Sequence, residues 1–323
     1  MNGNDVPVID IAQLEAPETL GALDAACREW GFFQVVDHGI DDVVTAALRR
    51  EMRALFAQPM AAKQTISRTQ DNPWGFFDRE LTKNTRDWKQ VFDYGPGDGP
   101  MMPQWPQALP GFGPAVRAFY SACESLAFRL LAALSINLGM CADHLARGFR
   151  PLHTSFLRLN YYPVCPVPAR PAGVCTPTTG HLGVNHHTDA GALTLLLQDE
   201  QPGLEVFRAG RWHLVEPRGD ALVVNIGDIV QVWSNDRYRA ALHRVTANAG
   251  AERFSAPFFL NPAYETSYAP LPTMVDAQRP ARYHTINWGE FRARRVAGDY
   301  ADYGEEVQID HYQVNERHAK ERA

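Results

Sequence analysis

The chain has 323 residues, with 31 Lys and Arg against 37 Asp and Glu for a net charge of -6, and 45% hydrophobic residues. That length supports one large domain or two smaller ones, and the composition is that of a globular enzyme. The acidic balance, without long runs of like charge, argues against a nucleic-acid track, and no apolar stretch approaches the roughly 18 residues that would span a bilayer.

Five cysteines, Cys27, Cys123, Cys141, Cys165 and Cys175, are widely spaced without a CxxC pair, so they read as thiols in a reducing compartment rather than a disulfide framework. No charged-then-apolar leader precedes Pro7-Val8-Ile9-Asp10. The expectation is a cytoplasmic protein, a monomer or weak homo-oligomer, with a small-molecule substrate and neither nucleic acid nor membrane as partner.

In chain order, residues 18–28 predict a helix, and Trp30 to Val36, aromatic and β-branched, predict a buried strand. Residues 41–58 carry Val44, Leu48, Met52, Leu55 and Phe56 on one helical face, with Pro59 after the end. Residues 95–114, rich in Pro and Gly, read as a surface connection. A long helix over 115–138 follows, with an apolar stripe from Val116 to Leu138 and Gly139 as its stop. From Thr154 to about Asn261 the pattern changes to short period-two segments. Residues 204–207, 211–215, 221–225 and 229–233 are strand candidates, with turns at Ala209-Gly210 and Gly227-Asp228. Helices first and antiparallel strands afterwards predict a mainly β fold with surrounding helices, a sandwich or jelly roll. The division is a helix-rich region over 1–150 packed on a catalytic core over 151–323, acting as one unit. From Gln313 the chain is polar and expected to fray.

The chemistry is concentrated in His187-Thr188-Asp189 and the distal His243. On a strand, residues i and i+2 share a side, so His187 and Asp189 can face one interior while His186 and Thr188 face away. Two imidazoles and a carboxylate with open positions opposite is the ligand set of non-haem Fe(II) oxygenases, although zinc accepts the same donors. A second set favours iron. Arg253 and Ser255 alternate with Phe254, Ala256, Phe258 and Leu260, so a guanidinium and a hydroxyl share one face and can receive a carboxylate, the other reading being a salt bridge to a nearby acid. Arg158, Asn160 and Tyr162 alternate with apolar neighbours in the same way and project together, either inward or as the polar face of an edge strand.

In this order the signals resemble the isopenicillin N synthase-like family of Fe(II)- and 2-oxoglutarate-dependent oxygenases. Supporting segments run along nearly the whole chain, from Trp30-Gly31-Phe32-Phe33 and Asp37-His38-Gly39 through Asn160-Tyr161-Tyr162-Pro163 and Asn225-Ile226-Gly227-Asp228 to His243-Arg244-Val245 and Arg253-Phe254-Ser255. The resemblance implies a double-stranded β-helix core, a distorted jelly roll. It implies Fe(II) on His187, Asp189 and His243. The distal carboxylate of 2-oxoglutarate would lie on Arg253 and Ser255, with Tyr162 assisting and Asn160 near the chelating end, and O₂ would be co-substrate. Positions matching Arg158, Phe259 and Asn261 line the substrate space in family members. The implied reaction is hydroxylation, desaturation or ring closure of a small molecule in specialised metabolism. An Fe(II) oxidase of the isopenicillin N synthase type, which uses no 2-oxoglutarate, is the alternative reading, and a non-catalytic metal- or ligand-binding protein is a third. Residues 164–186, longer than usual for the family, read as a lid or specificity loop or as a surface insertion. Phe76 to Arg79 and Asp87-Trp88-Lys89 are further candidates for approaching the pocket.

Overall fold

The computed structural model describes residues 5–69, 71–82, 84–97, 101–170, 173, 179–297 and 307–314. Cys175, with residues 171, 172 and 174–178 of the 164–186 loop, and the tail beyond residue 314 lie outside the described residues.

Strand β1 (Val8–Asp10) pairs in parallel with β2 (Phe32–Val36) across helix α1 (Pro17–Glu29). Helix α2 (Asp42–Phe56) begins where the Asp41 carboxylate accepts the Val43 N–H at 2.7 Å, which satisfies one of the amides orphaned at a helix start. After α3 (Met60–Gln64) come the short strands β3 (Gly75–Phe77), β4 (Leu81–Thr82), β5 (Thr85–Arg86) and β6 (Gln90–Tyr94). The long helix α4 (Phe112–Asn137) ends just ahead of Gly139, whose φ of +77° is the left-handed conformation that terminates helices. By length and apolarity α4 could cross a membrane, contrary to the sequence-based expectation, but 56% of its apolar window is buried inside the fold.

The second half contributes β7 (Phe156–Tyr162), β8 (Leu182–His187), β9 (Leu193–Gln198), β10 (Leu204–Arg208), β11 (Arg211–Leu214) and β12 (Leu222–Ile226). Helix α5 (Asp228–Trp233), β13 (His243–Thr246), β14 (Arg253–Leu260), β15 (Ser267–Tyr268), β16 (Ile286–Asn287) and α6 (Trp288–Ala297) complete the described elements. The segment 229–233, expected as a strand, is therefore helical. Its run of apolar residues suits either state, and the backbone decides through Asp228 N–H and Ile229 N–H, which donate to Asp189 O and Gly191 O at 2.8 and 3.2 Å.

The larger sheet has the order β1-β2-β12-β9-β14-β7-β6-β3 and the smaller β11-β10-β13-β8, a double-stranded β-helix as expected. Strand alternation sorts the large sheet into two faces. Leu193, Leu195, Leu197, Phe254, Ala256, Phe258 and Leu260 pack outward with Phe119, Cys123, Leu126 and Leu130 of α4 in the main core. Each fully buried Leu or Phe there contributes about 1.5–3 kcal/mol relative to exposure. The opposite face meets the smaller sheet through Tyr162, Leu196, Val223, Val184, Leu204, Val206 and Val245. The polar alternates of β7, β9, β12 and β14 point into that inter-sheet space.

Candidate active site

His187 ends β8 and His243 begins β13, and the two are register partners across the antiparallel pair. Each imidazole is oriented by its own backbone. His187 Nδ1 donates to Asn185 O at 2.8 Å and His243 Nδ1 to Ala241 O at 3.0 Å, which leaves both Nε2 lone pairs facing inward. Asp189 lies beyond the strand end, so strand alternation is not what aligns it with His187. The turn after β8 does so, clasped by the first amides of α5, and Gly227 allows the approach: a Cβ there would stand 2.3 Å from Gly191 O and 2.7 Å from Asp189 O. Asp189 Oδ1 stands 3.6 Å from both Nε2 atoms, and Oδ2 accepts hydrogen bonds from Thr194 Oγ1 at 2.5 Å and Asn225 Nδ2 at 2.8 Å. The three ligand atoms lie within 4.8 Å of one another.

The electrostatics suit a divalent cation. Burial, helped by the neighbouring His187, lowers His243 to about 4, so it presents a neutral imidazole near neutral pH. Burial alone would raise the Asp189 carboxyl, but His243, His187 and the Asn225 amide hold it below the usual carboxylate range. Two imidazole nitrogens and one carboxylate oxygen, each held by a bond to its neighbours, form a donor set that Fe(II) accepts with positions to spare. His186 turns away, its Nδ1 3.0 Å from Asn185 Oδ1.

Beside the ligands is a cavity of about 90 Å³ between the sheets, lined by Arg158, Asn160, Tyr162, Arg253, Ser255 and Phe259 among others. Arg253 is 1% exposed. It donates to Gln198 Oε1 at 2.9 Å and Gln201 O at 3.2 Å, its guanidinium lies 5.1 Å from the Tyr162 ring centroid, and its Nη1 is buried without a partner. No ion pair joins it to an acid among the described residues, so the salt-bridge reading does not hold. Asn160 donates weakly to Ser255 Oγ at 3.4 Å, and its Oδ1 is also orphaned. A buried charge with an unused donor is costly unless an anion meets it, and a dicarboxylate that also chelates the metal fits that vacancy in charge and chemistry.

A second cavity, of about 190 Å³, shares His187 and Asp189 with the first and is lined by Trp74, Phe156, Phe259, Asn261, Trp288 and Arg292 among others. Phe259 and Asn261, named as substrate contacts from the sequence, both line this cavity. Arg158 lines both cavities, but it is engaged: Nε is 2.7 Å from Asp93 Oδ1 and Nη1 is 2.8 Å from Glu80 Oε2. It belongs to a buried cluster that sequence reasoning missed. Arg68 pairs with Asp93 at 2.8 Å and Glu80 at 3.3 Å, and Lys89 with Glu80 at 2.7 Å and Asp87 at 3.0 Å. Burial opposes these charges, yet Arg158, Lys89 and Arg68 keep the Glu80 carboxyl below its usual range, and Asp87 and Glu80 keep Lys89 above its own. Burial outweighs Lys89 at Asp87, whose carboxyl is pushed up. Asp87 Oδ1 also accepts the Asn185 N–H at 3.3 Å, and Trp88 N–H donates to Leu182 O at 2.9 Å, so this cluster braces the strand that carries His187. Of the two segments expected near the pocket, 87–89 therefore reaches it through Lys89, which lines both cavities.

Known proteins resemble the chain in sequence and in shape. Residues 153–262 match the 2OG-Fe(II) oxygenase superfamily, and residues 6–110 match the family described as non-haem dioxygenase in morphine synthesis N-terminal. Jasmonate-induced oxygenase 4 of Arabidopsis thaliana is 33% identical over 299 residues, which cover 90% of this chain and 82% of that protein. Oxoglutarate-dependent flavonoid 7-O-demethylase 1 of Ocimum basilicum is 31% identical over 299 residues, with coverage of 88% and 76%. The solved structure of JOX2 in complex with 2OG, Fe and JA matches with a TM-score of 0.80 at 32% identity, over 90% of this chain and 84% of that chain. The chain belongs to the 2OG-Fe(II) oxygenase superfamily and is an Fe(II)- and 2-oxoglutarate-dependent oxygenase, as the sequence motifs implied.

Proposed function

We propose that His187, Asp189 and His243 hold Fe(II), that Arg253 and Ser255 receive the distal carboxylate of 2-oxoglutarate beside Tyr162 and Asn160, and that the larger cavity takes a small-molecule substrate of specialised metabolism. The carrying observation is the orphaned Nη1 of Arg253, buried in the same inter-sheet cavity as the ligand atoms. When bound, the iron supplies O₂ activation coupled to decarboxylation of 2-oxoglutarate. The balanced outcome for hydroxylation is R–H, 2-oxoglutarate and O₂ giving R–OH, succinate and CO₂.

The protein's residues perform placement. Arg253 neutralises one end of the co-substrate and, with Ser255, fixes its rotation, so that the chelating end has one approach to the metal side of the cavity. Tyr162 packs its ring against the guanidinium and keeps water from it. Thr194 and Asn225 fix the Asp189 carboxylate so that one oxygen faces the metal position. Phe156, Phe259 and Asn261 line the chamber in which a C–H bond is presented. The regions 1–150 and 151–323 act as one unit in this reading, because β1, β2, β3 and β6 extend the same sheet that carries β7 and β14. JOX2, 32% identical to this chain, is solved in complex with JA, which supports a small molecule as substrate.

The test is succinate formation. Protein supplied with Fe(II), O₂ and 2-oxoglutarate converts the last to succinate, and faster with a true substrate than without. Iron- and O₂-dependent turnover that needs no 2-oxoglutarate, or 2-oxoglutarate binding without any oxygen consumption, contradicts the proposal.

A further inference from the structure

The larger cavity contains one cation that the described acids do not neutralise. Arg68, Lys89 and Arg158 are paired with Glu80, Asp87 and Asp93, three charges against three. Arg295 donates to the carbonyls of Val307 and Thr188 at 3.1 and 2.9 Å and interacts electrostatically with the buried Asp228 carboxyl, so an acid already engages it. Arg292, one turn earlier on α6, is different. It lines the cavity with its guanidinium 5.2 Å from the Phe156 ring centroid and 5.7 Å from that of Trp288, and no ion pair joins it to an acid among the described residues. Contact with aromatic faces holds the guanidinium in place without using its N–H donors. Such a fork, half-buried at a cavity wall, matches the two coplanar oxygens of a carboxylate.

The remaining walls describe the rest of the ligand. Phe156 stacks on Phe259 with centroids 4.6 Å apart, and Trp74 lies 6.3 Å from Phe156. Aromatic walls of this kind bury an apolar, ring-bearing body. His187 and Asp189 line the same cavity. A second anionic group finds no cation waiting among the described residues, because the Arg68-Lys89-Arg158 set is already neutralised by its own carboxylates and Arg295 is engaged by two carbonyls and Asp228, and burying an unpaired charge is unfavourable.

The geometry points to a small monocarboxylic acid with an apolar, ring-bearing body as substrate, its carboxylate paired with Arg292 and its oxidisable C–H turned toward His187 and Asp189. The inference rests on the preceding reading of this cavity as the substrate chamber. Arg292 is then the residue that selects acids over their neutral derivatives.

The experiment compares binding of 3-phenylpropanoate, cinnamate and indole-3-acetate with that of their methyl esters. The protein is loaded with Mn(II) and 2-oxoglutarate, and binding is read by calorimetry and by tryptophan fluorescence. At least one acid binds about tenfold or more tightly than its ester, the least that a charge-assisted pair contributes. Arg292→Gln brings that acid to the affinity of its ester while the ester is unaffected, Arg292→Lys keeps part of the preference, and Arg294→Gln, on the exposed side of α6, keeps all of it. A panel in which no acid exceeds its ester, or an Arg292→Gln variant with the preference intact, overturns the inference. Affinity for 2-oxoglutarate in the same samples separates the failures. If it is normal while the preference is missing, the carboxylate inference alone falls. If 2-oxoglutarate does not bind, the underlying reading falls and takes the inference with it.

Discussion

His187 and His243 face each other across β8 and β13 with ring centroids 4.2 Å apart, and both direct Nε2 at the same oxygen of Asp189. Neither imidazole can leave this arrangement without breaking the bond from Nδ1 to its own backbone. Replacing His187 or Asp189 with Ala removes one of three ligands while leaving the sheets intact. Calorimetric titration with Mn(II) is expected to show no site-specific binding in either variant, with succinate formation lost in parallel. Wild-type metal affinity in either one contradicts the assignment.

Asn225 does not reach the metal position, but its amide holds Asp189 Oδ2 at 2.8 Å. Partners of this kind typically contribute about 10- to 100-fold to metal affinity. Asn225→Ala should weaken Mn(II) binding by about that factor, with an unchanged far-ultraviolet circular dichroism spectrum. An unaltered Mn(II) affinity would show that Thr194 alone orients the carboxylate.

Arg253 is predicted to act on 2-oxoglutarate rather than on metal. Removing one partner of a buried, hydrogen-bonded charge pair costs about 2–5 kcal/mol, so Arg253→Ala should raise the KM for 2-oxoglutarate by about 30-fold or more. Arg253→Lys should recover little, since an ammonium lacks the planar fork and cannot keep the contacts to Gln198 and Gln201 together. Mn(II) affinity in the absence of 2-oxoglutarate stays at the wild-type value in both variants. A KM unchanged by either substitution places the co-substrate elsewhere.

The cluster around Glu80 predicts a stability effect outside the metal site. Glu80, 4% exposed, joins Arg68, Lys89 and Arg158. Glu80→Gln keeps the shape and removes the charge, leaving three buried cations against two acids. Breaking a buried ion pair in this way costs about 3–5 kcal/mol. Urea denaturation of the metal-free protein should register that loss, whereas Glu216→Gln, at an exposed position with no ion pair among the described residues, should stay near wild type. Equal stability of the two variants contradicts the description of the cluster as tightly coupled.

Local sequence signals carried a large part of this structure. The stripe from Val116 to Leu134 is α4, and the alternation of Arg253 and Ser255 with Phe254 and Ala256 is the two-faced strand β14. Two features escaped. An apolar run as short as 229–233 carries no period that separates strand from helix, and its backbone partners, Asp189 O and Gly191 O, are known only in three dimensions. The Glu80 cluster depends on pairs as far as 78 positions apart, and nothing near Arg68, Asp93 or Lys89 in the chain marks them as buried. Asn225 lay within a segment that carried the family resemblance, but its hold on Asp189 depends on the pairing of β12 with β9, which sequence alone does not give.

The central claim is that one inter-sheet cavity joins the three ligands to Arg253. Its most direct test is anomalous diffraction from anaerobic crystals grown with Mn(II) and 2-oxoglutarate. The expected result is a single manganese peak bound by His187 Nε2, Asp189 Oδ1 and His243 Nε2, with the distal carboxylate of 2-oxoglutarate on Arg253 Nη1 and Ser255 Oγ. A peak away from those three atoms, or a carboxylate seated anywhere other than on Arg253, contradicts it.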